Sequence, residues 1–340
     1  MTFDREIFYI EENKLAEAFE RSQKEFDELV DFLISSSEEK NYLREWIHFV
    51  VQGYINKQQA IRIFSREGAI AIANYIDLQG EATDTALHTV FALLDRYRLD
   101  RIDNNIRRSV YENSSSLTFK NQRHWLDRQD IVKIFKTTRS RLDEAFRNIQ
   151  RSEYAMKITE DFDNREETDY FSLSGLEKLS VELSISLRSQ ERQEYCNRVR
   201  EVAPPVIEFL AIAPSPSPQE IERTVRYVKN RDKFCQITEI ARDKYENRLI
   251  KLVGHHLYDK NNYPFLANDP DNIVTITEQI SDDFYQWNGG FTKTCTIDDF
   301  IEYVEWRYPQ KHEVILMLHN RRRVLLLKLG QLQRTLPEGN

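Results

Sequence analysis

The sequence is poor in the residues that mark several protein classes. Its three cysteines, Cys196, Cys235 and Cys295, form no CxxC pair and have no Cys/His spacing that would close a tetrahedral metal site. This usage predicts a reducing, cytoplasmic location. With only nine Gly and nine Pro, 40% hydrophobic and 31% charged residues, the composition favours a folded, helix-rich protein over a disordered one.

Long apolar runs are also missing. The chain begins MTFDREIFYIEEN, without a basic segment followed by an apolar stretch, and no segment approaches the roughly 20 apolar residues of a membrane span. We therefore expect a protein that is neither exported nor inserted and that has no membrane partner.

Sequence motifs of catalysis are missing as well. There is no GxxxxGK[ST], GxSxG, HExxH or GxGxxG, and no nucleophile has an evident base. His255 and His256 are adjacent, so on a helix or strand they diverge and do not share a metal. Asn268–Asn272, NDPDN, has the composition of a turn. The prediction is a protein without enzymatic activity, cofactor or metal.

Charge is distributed unevenly along the chain. Residues 96–151 contain 14 Lys and Arg but only seven Asp and Glu, a local net charge of +7. Since the whole chain has a net charge of −8, the remainder sums to −15. A polyanion would therefore find one favourable region.

Apolar spacing predicts an amphipathic helix over Leu15–Ile34 and a second helix over Tyr42–Val51. We interpret residues 1–53 as an acidic helical segment that binds a protein partner or forms a homodimer. Residues 54–112 are predicted to contain a first helix-turn-helix module, 113–212 a winged one, and 213–340 a mostly helical C-terminal domain.

A short internal similarity suggests a repeated module. With an offset of 71 positions, Lys57, Gln58 and Arg62–Phe64 align with Arg128, Gln129 and Lys133–Phe135. In the first copy we expect a helix over Lys57–Phe64, a break at Ser65–Gly68 and a second helix. Chance similarity between two amphipathic helices is the competing explanation.

The basic region contains the most informative pattern, IVKIFKTTRSRLDEAF. Ile131, Ile134 and Phe135 line one side of a short helix, and a polar break follows. Apolar residues then recur with helical spacing on the next helix, at Leu142, Ala145, Phe146 and Ile149. Two short helices with facing apolar stripes must pack on each other. Thr138 is suitable as the N-cap of the second helix.

Residues 126–187 resemble the winged helix-turn-helix superfamily at the level of fold. Strands predicted at Tyr154–Thr159 and Asp169–Leu173 lie where the family has its wing. The resemblance implies that the second helix enters the major groove of double-stranded DNA. It assigns base or phosphate contacts on and beyond that helix to Thr138, Arg139, Ser140, Arg141, Arg147 and Arg151, and phosphate contacts to Arg123, Arg128, Lys133 and Lys136.

Two features depart from a simple DNA-binding pattern. The predicted wing, DFDNREETD, is strongly acidic, so we do not expect it to touch DNA. Glu144 lies in the middle of the proposed reading face, where it accepts from cytosine, orients a neighbouring Arg, or marks an ordinary solvated surface.

The C-terminal region begins at APSPSPQEIERTV. Alternating Pro and Ser disfavour helix up to Ser217, which can cap a helix with Pro218 in its first position and Glu220 completing a capping box. Thr296–Leu329 predicts a helix, a break at Pro309, a helix, a basic turn at Arg321–Arg323 and a strand, which would form a third winged unit.

The predicted fold class is mainly α, with tandem helix-turn-helix or winged-helix modules and short β-hairpin wings. The leading hypothesis is a sequence-specific DNA-binding protein, most simply a transcriptional regulator and in one variant associated with a mobile element. The alternative is a tandem winged-helix protein-interaction subunit of a larger nucleic-acid-processing or defence complex, which the acidic surface favours.

Overall fold

The structure, a computed structural model, describes residues 7–36, 43–55, 59–80, 85–165, 168–213, 215–241, 244–245, 248–291 and 293–334. The chain divides into two compact units, Met1–Arg101 and Ile102–Asn340, and each has its own apolar core. Within the described ranges the fold is mainly helical, with twelve α-helices and small antiparallel sheets. This confirms the predicted mainly α class.

Unit 1 contains a three-stranded sheet covered by helices. Its elements are β1 (Phe8–Glu11), α1 (Glu12–Ala18), α2 (Gln23–Ser35), β2 (Phe49–Ile55), β3 (Gln59–Ser65), α3 (Arg66–Gln79) and the first part of α4 (Ala86–Glu112). The antiparallel sheet has the order β1-β3-β2.

Unit 2 begins with the remainder of α4 and a four-stranded antiparallel sheet in the order β4-β5-β7-β6. Its first elements are β4 (Thr118–Lys120), β5 (Arg123–Asp127), α5 (Arg128–Ile134), α6 (Arg139–Gln150), β6 (Phe162–Arg165), β7 (Thr168–Ser172), α7 (Leu173–Ser186) and α8 (Gln190–Ile212). Its later elements are α9 (Pro218–Asp232), β8 (Lys244–Tyr245), β9 (Arg248–Leu249), β10 (Leu252–His256), β11 (Ile273–Thr277), α10 (Glu278–Trp287), α11 (Ile297–Arg307) and α12 (His312–Arg334).

Each unit contains the same order of elements, β-α-α-β-β-α, over residues 8–79 and 123–186. We call these segments module A and module B. The bounds of α1 and α5 differ by 116 positions, and those of α3 and α7 differ by 107 positions. In both modules the strand before the first helix pairs with the second strand of the following hairpin. The repeat that we expected at an offset of 71 is therefore wrong: α5 corresponds to α1, not to residues in β3.

The modules also share the contacts that join the hairpin to its following helix. Ser65 donates its N–H to the His48 carbonyl at 2.9 Å, and Ser172 donates to the Asp161 carbonyl at 3.0 Å. The same two serines cap α3 and α7. Glycine follows three residues after each serine, and a Cβ there would lie 2.0 Å from the same carbonyl oxygen. Backbone packing, rather than side-chain similarity, defines the repeat.

An ion pair at equivalent positions has opposite polarity in the two modules. In module A, Glu12 at the start of α1 binds Arg62 on β3 at 2.8 Å. At offsets of 116 and 107 the corresponding residues are Arg128 and Asp169, which also bind each other. Because both polarities join the first helix to the hairpin, the framework accommodates a charge pair of either sign at these positions.

Two predictions for the N-terminal region need correction. The helix expected over Leu15–Ile34 is two helices, because Glu20 adopts a left-handed φ of 54° and Ser22 caps α2. The helix expected over Tyr42–Val51 is wrong: Tyr42 lies outside the described residues, residues 44–48 form a bridge and turns, and β2 begins at Phe49.

The helix predicted over Lys57–Phe64 is also wrong, since Gln59–Ser65 is strand β3, whereas Lys57 and Gln58 lie outside the described residues. Arg62 obscured the strand pattern. The Arg62 side chain is buried at a position where the alternation of a strand calls for an apolar residue. Glu12 and Asp31 balance its charge there. The helix predicted after the break is α3.

The hairpin of module B was predicted in part. The second strand, expected at Asp169–Leu173, is β7 and begins one residue earlier. The first strand, expected at Tyr154–Thr159, is wrong: Phe162–Arg165 forms β6, and Ile158 makes only an isolated bridge. Part of the acidic segment expected to form a turn is instead strand β6, in which Asp163 is paired with Arg165.

In the C-terminal part of unit 2, the start of α9 is confirmed, with the Ser217–Glu220 capping box and Pro218 in the first turn. The break at Pro309 is confirmed, but the basic turn and strand predicted after it are wrong. Helix α12 runs through Arg321–Arg323, and Leu318, Leu325 and Leu329 are buried at helical spacing. The third winged unit predicted for this region therefore has a helix where its wing was expected.

His255 on β10 is enclosed by aromatic rings. Its ring centroid lies 5.0 Å from that of Phe284, 5.4 Å from Tyr285 and 4.8 Å from Phe300. Neither ring nitrogen has a hydrogen-bond partner among the described residues. Burial, assisted by the neighbouring His256, lowers the pKa of His255 to about 3, so the imidazole is neutral at pH 7.

We expect His255 to make the protein acid-labile. Its folded-state pKa lies below the unfolded value of about 6.5, so stability is fully present above pH 6.5 and is lost as pH falls toward 3, by up to about 1.4 kcal/mol per pH unit. In urea unfolding measured from pH 7.5 to 4, His255→Phe should reduce this slope. Exposed His88→Gln is the control, and equal slopes for all three proteins would contradict the expectation.

Candidate nucleic-acid interface

The turn between α5 and α6 sets the orientation in which α6 packs on the rest of module B. Lys136 adopts a left-handed φ of 47°, and the Thr138 Oγ1 accepts a hydrogen bond from the Arg141 N–H at 3.3 Å. This confirms Thr138 as the N-cap. The inward face of α6 is apolar and consists of Leu142, Ala145 and Ile149. The opposite face is consequently presented to solvent.

Helix α8 holds this turn from the side. The Tyr195 hydroxyl donates to the Ile134 carbonyl at 2.9 Å, and the Arg192 guanidinium donates to the Lys136 carbonyl at 3.0 Å. Arg192 also donates to the Phe135 carbonyl. These bonds satisfy carbonyls at the end of α5 that the helix leaves unpaired. Sequence reasoning missed both residues, since nothing local links α8 to a turn more than 50 residues earlier.

Several cations on and around α6 are exposed and have no acidic partner among the described residues. These are Lys133, Arg139, Arg147 and Arg151. Ser140 is also exposed on the first turn of the helix. An exposed cation that is not already paired keeps its full charge for a phosphate or a base edge.

Glu144 does not neutralise the whole face. Its carboxylate accepts a hydrogen bond from Arg141 Nη1 at 3.0 Å, and both side chains are about half exposed. Such a pair on a helix surface contributes little to stability. Its main effect is to orient the Arg141 guanidinium along the helix.

Three of the predicted phosphate contacts have other roles within unit 2. Arg128 is only 18% exposed and is bound by Asp143 and Asp169. Arg123 donates to the Glu160 carbonyl at 3.1 Å. The Lys136 ammonium lies 5.4 Å from the centre of the Tyr195 ring. Partial burial, and to a lesser extent repulsion from Arg192, lowers the pKa of Lys136. Contact with phosphate by these residues stays a prediction, and for Arg128 two carboxylates already balance the charge.

Three described carboxylates in and beside the acidic hairpin of module B, including Asp169 bound by Arg128, are paired with cations. Asp163 binds Arg165 at 2.7 Å, and the Arg165 guanidinium lies over the rings of Trp125 and Tyr170. Asp161, just before the hairpin, binds Lys178 at 2.6 Å. The carboxylates described here therefore add less repulsion toward a polyanion than their number suggests. Glu166 and Glu167 lie outside the described residues.

The described ranges contain no group of three or more His, Cys, Asp and Glu side chains that could hold a metal ion. No helix in those ranges combines the length and apolar character needed to cross a bilayer. Comparisons with protein-family models, curated proteins and solved structures each found no match.

Proposed function

We propose that this chain is a sequence-specific DNA-binding protein, most simply a regulator of transcription, and that α6 is the helix that meets the bases. The single observation that carries this proposal is the outer face of α6. Arg139, Arg147 and Arg151 are exposed on or next to this helix and have no acidic partner among the described residues, and the Thr138 cap and α8 fix the start of the helix. Rigid presentation of unpaired cations is what recognition of a polyanion requires.

The order of elements supports a winged helix-turn-helix architecture in both modules. Helix α5, a tight turn, helix α6 and the β6–β7 hairpin follow one another, and the hairpin pairs with the strand before α5. In such folds the second helix of the motif enters the major groove. In this proposal Arg139, Ser140 and Arg141 lie nearest the base edges, and Lys133, Arg147 and Arg151 bind phosphates.

The proposal is tested by DNA binding across a salt series. Sequences selected from a random duplex library would be titrated with wild-type protein and with the Arg139→Ala, Arg141→Ala double variant. For the wild type, log affinity should fall with log salt with a slope of about −0.9 per phosphate neutralised. We expect the double variant to bind at least about tenfold more weakly, with relaxed sequence preference.

The matched control removes the same charge elsewhere. Arg223 and Arg226 are exposed on α9. Their replacement by Ala should leave the affinity for duplex DNA within about twofold of the wild-type value at the same salt concentration. Equal losses in both double variants would indicate general electrostatic attraction and would contradict base reading by α6. Absence of binding by the wild type at low salt would overturn the proposal.

A further inference from the structure

The two modules use very different side chains at one equivalent pair of positions. In module B, the Asn148 amide on α6 donates to the Glu182 carboxylate on α7 at 2.8 Å. At offsets of 116 and 107 the module A residues are Phe32 on α2 and Tyr75 on α3, whose ring centroids lie 5.8 Å apart. The same framework therefore joins its helices with a polar contact in one module and with two aromatic rings in the other.

The aromatic pair is open to solvent on one side. Phe32 is 52% exposed, although an aromatic ring of this size is usually buried. It lines a cleft of about 340 Å³ between α2 and α3, with Tyr75 on the opposite wall. Leu29 and Ile76 line the same cleft. An exposed ring that borders a concave surface is typical of a binding site and not of a solvated helix face.

The edge of this cleft is acidic. Glu25 and Glu28 line it, and the Glu25 carboxylate is held in place by the Ser22 N–H at 2.9 Å and hydroxyl at 2.7 Å. These hydrogen bonds lower the pKa of Glu25, which keeps it ionised. Arg21 also lines the cleft, so the lining has two carboxylates and one base, and Lys24, outside the lining, lies 3.8 Å from Glu28 on the exposed surface of α2.

Helix α2 is acidic at two positions where α6 is basic. Glu25 and Asp31 occupy the positions of Arg141 and Arg147, so two bases in module B correspond to two acids in module A. Asp31 is bound by Arg62, so Glu25 is the acid of these two that disfavours a nucleic-acid backbone and attracts a cation at this surface. Module A is thus unsuited to the DNA contact proposed for module B through the same helix.

We propose that the cleft between α2 and α3 of module A binds an arginine-rich or lysine-rich segment of a partner protein, with a cationic side chain against Phe32 and Tyr75 and its charge toward Glu25 and Glu28. An aromatic face attracts a cation through its quadrupole, and arginine also stacks on such rings. This interaction goes beyond DNA binding by module B and does not depend on it.

The test uses a fluorescently labelled hexa-arginine peptide as the probe and anisotropy as the measurement. A hexa-citrulline peptide, which is neutral and of nearly the same shape, is the matched ligand control. We expect hexa-arginine to bind the full chain at least about tenfold more tightly than hexa-citrulline at moderate salt, since both ring and carboxylate contacts require the charge.

The repeat supplies a variant that the framework already accommodates. Phe32→Asn with Tyr75→Glu installs the polar pair of module B in module A, and it should weaken hexa-arginine binding at least about fivefold. Asn148→Ala with Glu182→Ala changes the equivalent positions of module B and should leave that affinity within about twofold. If the first variant does not fold, as judged by circular dichroism, Glu28→Gln in its place should weaken binding about threefold.

Three results would overturn the proposal of a cation-binding cleft. The first is unchanged hexa-arginine affinity in the folded Phe32→Asn, Tyr75→Glu variant, and the second is binding of hexa-citrulline as tight as that of hexa-arginine. A wild-type dimer in sedimentation that this variant dissociates would also overturn it, by showing that a second copy of the chain covers the cleft. Duplex binding by the same variant should match wild type, which separates failure here from failure of the proposed DNA contact.

Discussion

Gly175→Ala is expected to destabilise the protein by about 3 kcal/mol or more, because the new methyl group has no space. A Cβ at this position would lie 2.0 Å from the Asp161 carbonyl oxygen. That carbonyl cannot withdraw easily, since it accepts the Ser172 N–H at 3.0 Å and the neighbouring Glu160 carbonyl accepts the Ser172 hydroxyl at 2.7 Å. Urea unfolding followed by circular dichroism measures the loss.

A second glycine separates crowding from loss of backbone freedom. Gly80 ends α3 with a left-handed φ of 69°, and nothing lies within 4 Å of a Cβ built there. Gly80→Ala should therefore cost only about 1 kcal/mol, the penalty of that conformation alone. Similar losses of unfolding free energy for Gly175→Ala and Gly80→Ala would show that the close approach of residue 175 to the Asp161 carbonyl does not exclude a side chain there.

Arg128→Glu is expected to have a comparably large effect. It would replace a guanidinium that is only 18% exposed by a third carboxylate beside Asp143 and Asp169. Breaking such a pair and leaving its acids uncompensated typically costs about 3 to 5 kcal/mol. The free energy of unfolding in urea provides the measurement.

Module A indicates how the loss can be reversed. There an acid on the first helix and an arginine on the hairpin strand form the equivalent pair, Glu12 with Arg62. Adding Asp169→Arg to Arg128→Glu should consequently recover at least about 2 kcal/mol. Additive losses in the double-mutant cycle would contradict the equivalence of the two ion pairs, and Arg226→Glu on the exposed surface of α9 controls for the change in net charge.

Elements defined by neighbouring residues were predicted well. The capping box before α9 needs only Ser217, Pro218 and Glu220, and the structure confirms it. Helix α6 was found from the spacing of its apolar residues, and its cap at Thr138 is confirmed. In both cases the determining contacts lie within a few residues along the chain.

Elements whose pattern depends on distant partners were predicted badly. The burial of Arg62 hides the strand pattern of β3, and this burial depends on acids distant in the chain, among them Glu12, which binds Arg62 from 50 residues earlier. The acidic strand β6 was mistaken for a turn for a related reason, since Asp163 is balanced by Arg165 and the hairpin is held by β7. A local pattern cannot distinguish a paired charge from a solvated one.

The same distinction separates the predicted interface residues. All ten are basic or polar and lie on or near α6; the structure leaves some of them exposed and binds others to carboxylates or carbonyls. Arg128 binds Asp169, which is 41 residues away, whereas Arg139 has no acidic partner among the described residues. Arg192, which braces the turn from 56 residues away, carried no local signal.

The sequence by itself determined the mainly helical class, the capped start of α6 and the concentration of basic charge in residues 96–151. Periodicity, capping and charge counts depend on residues close in the chain, so they can be read without coordinates. Only the tertiary structure decided that the β-α-α-β-β-α module occurs twice and which cations remain unpaired. Both depend on contacts between residues far apart in sequence, which burial and backbone pairing select.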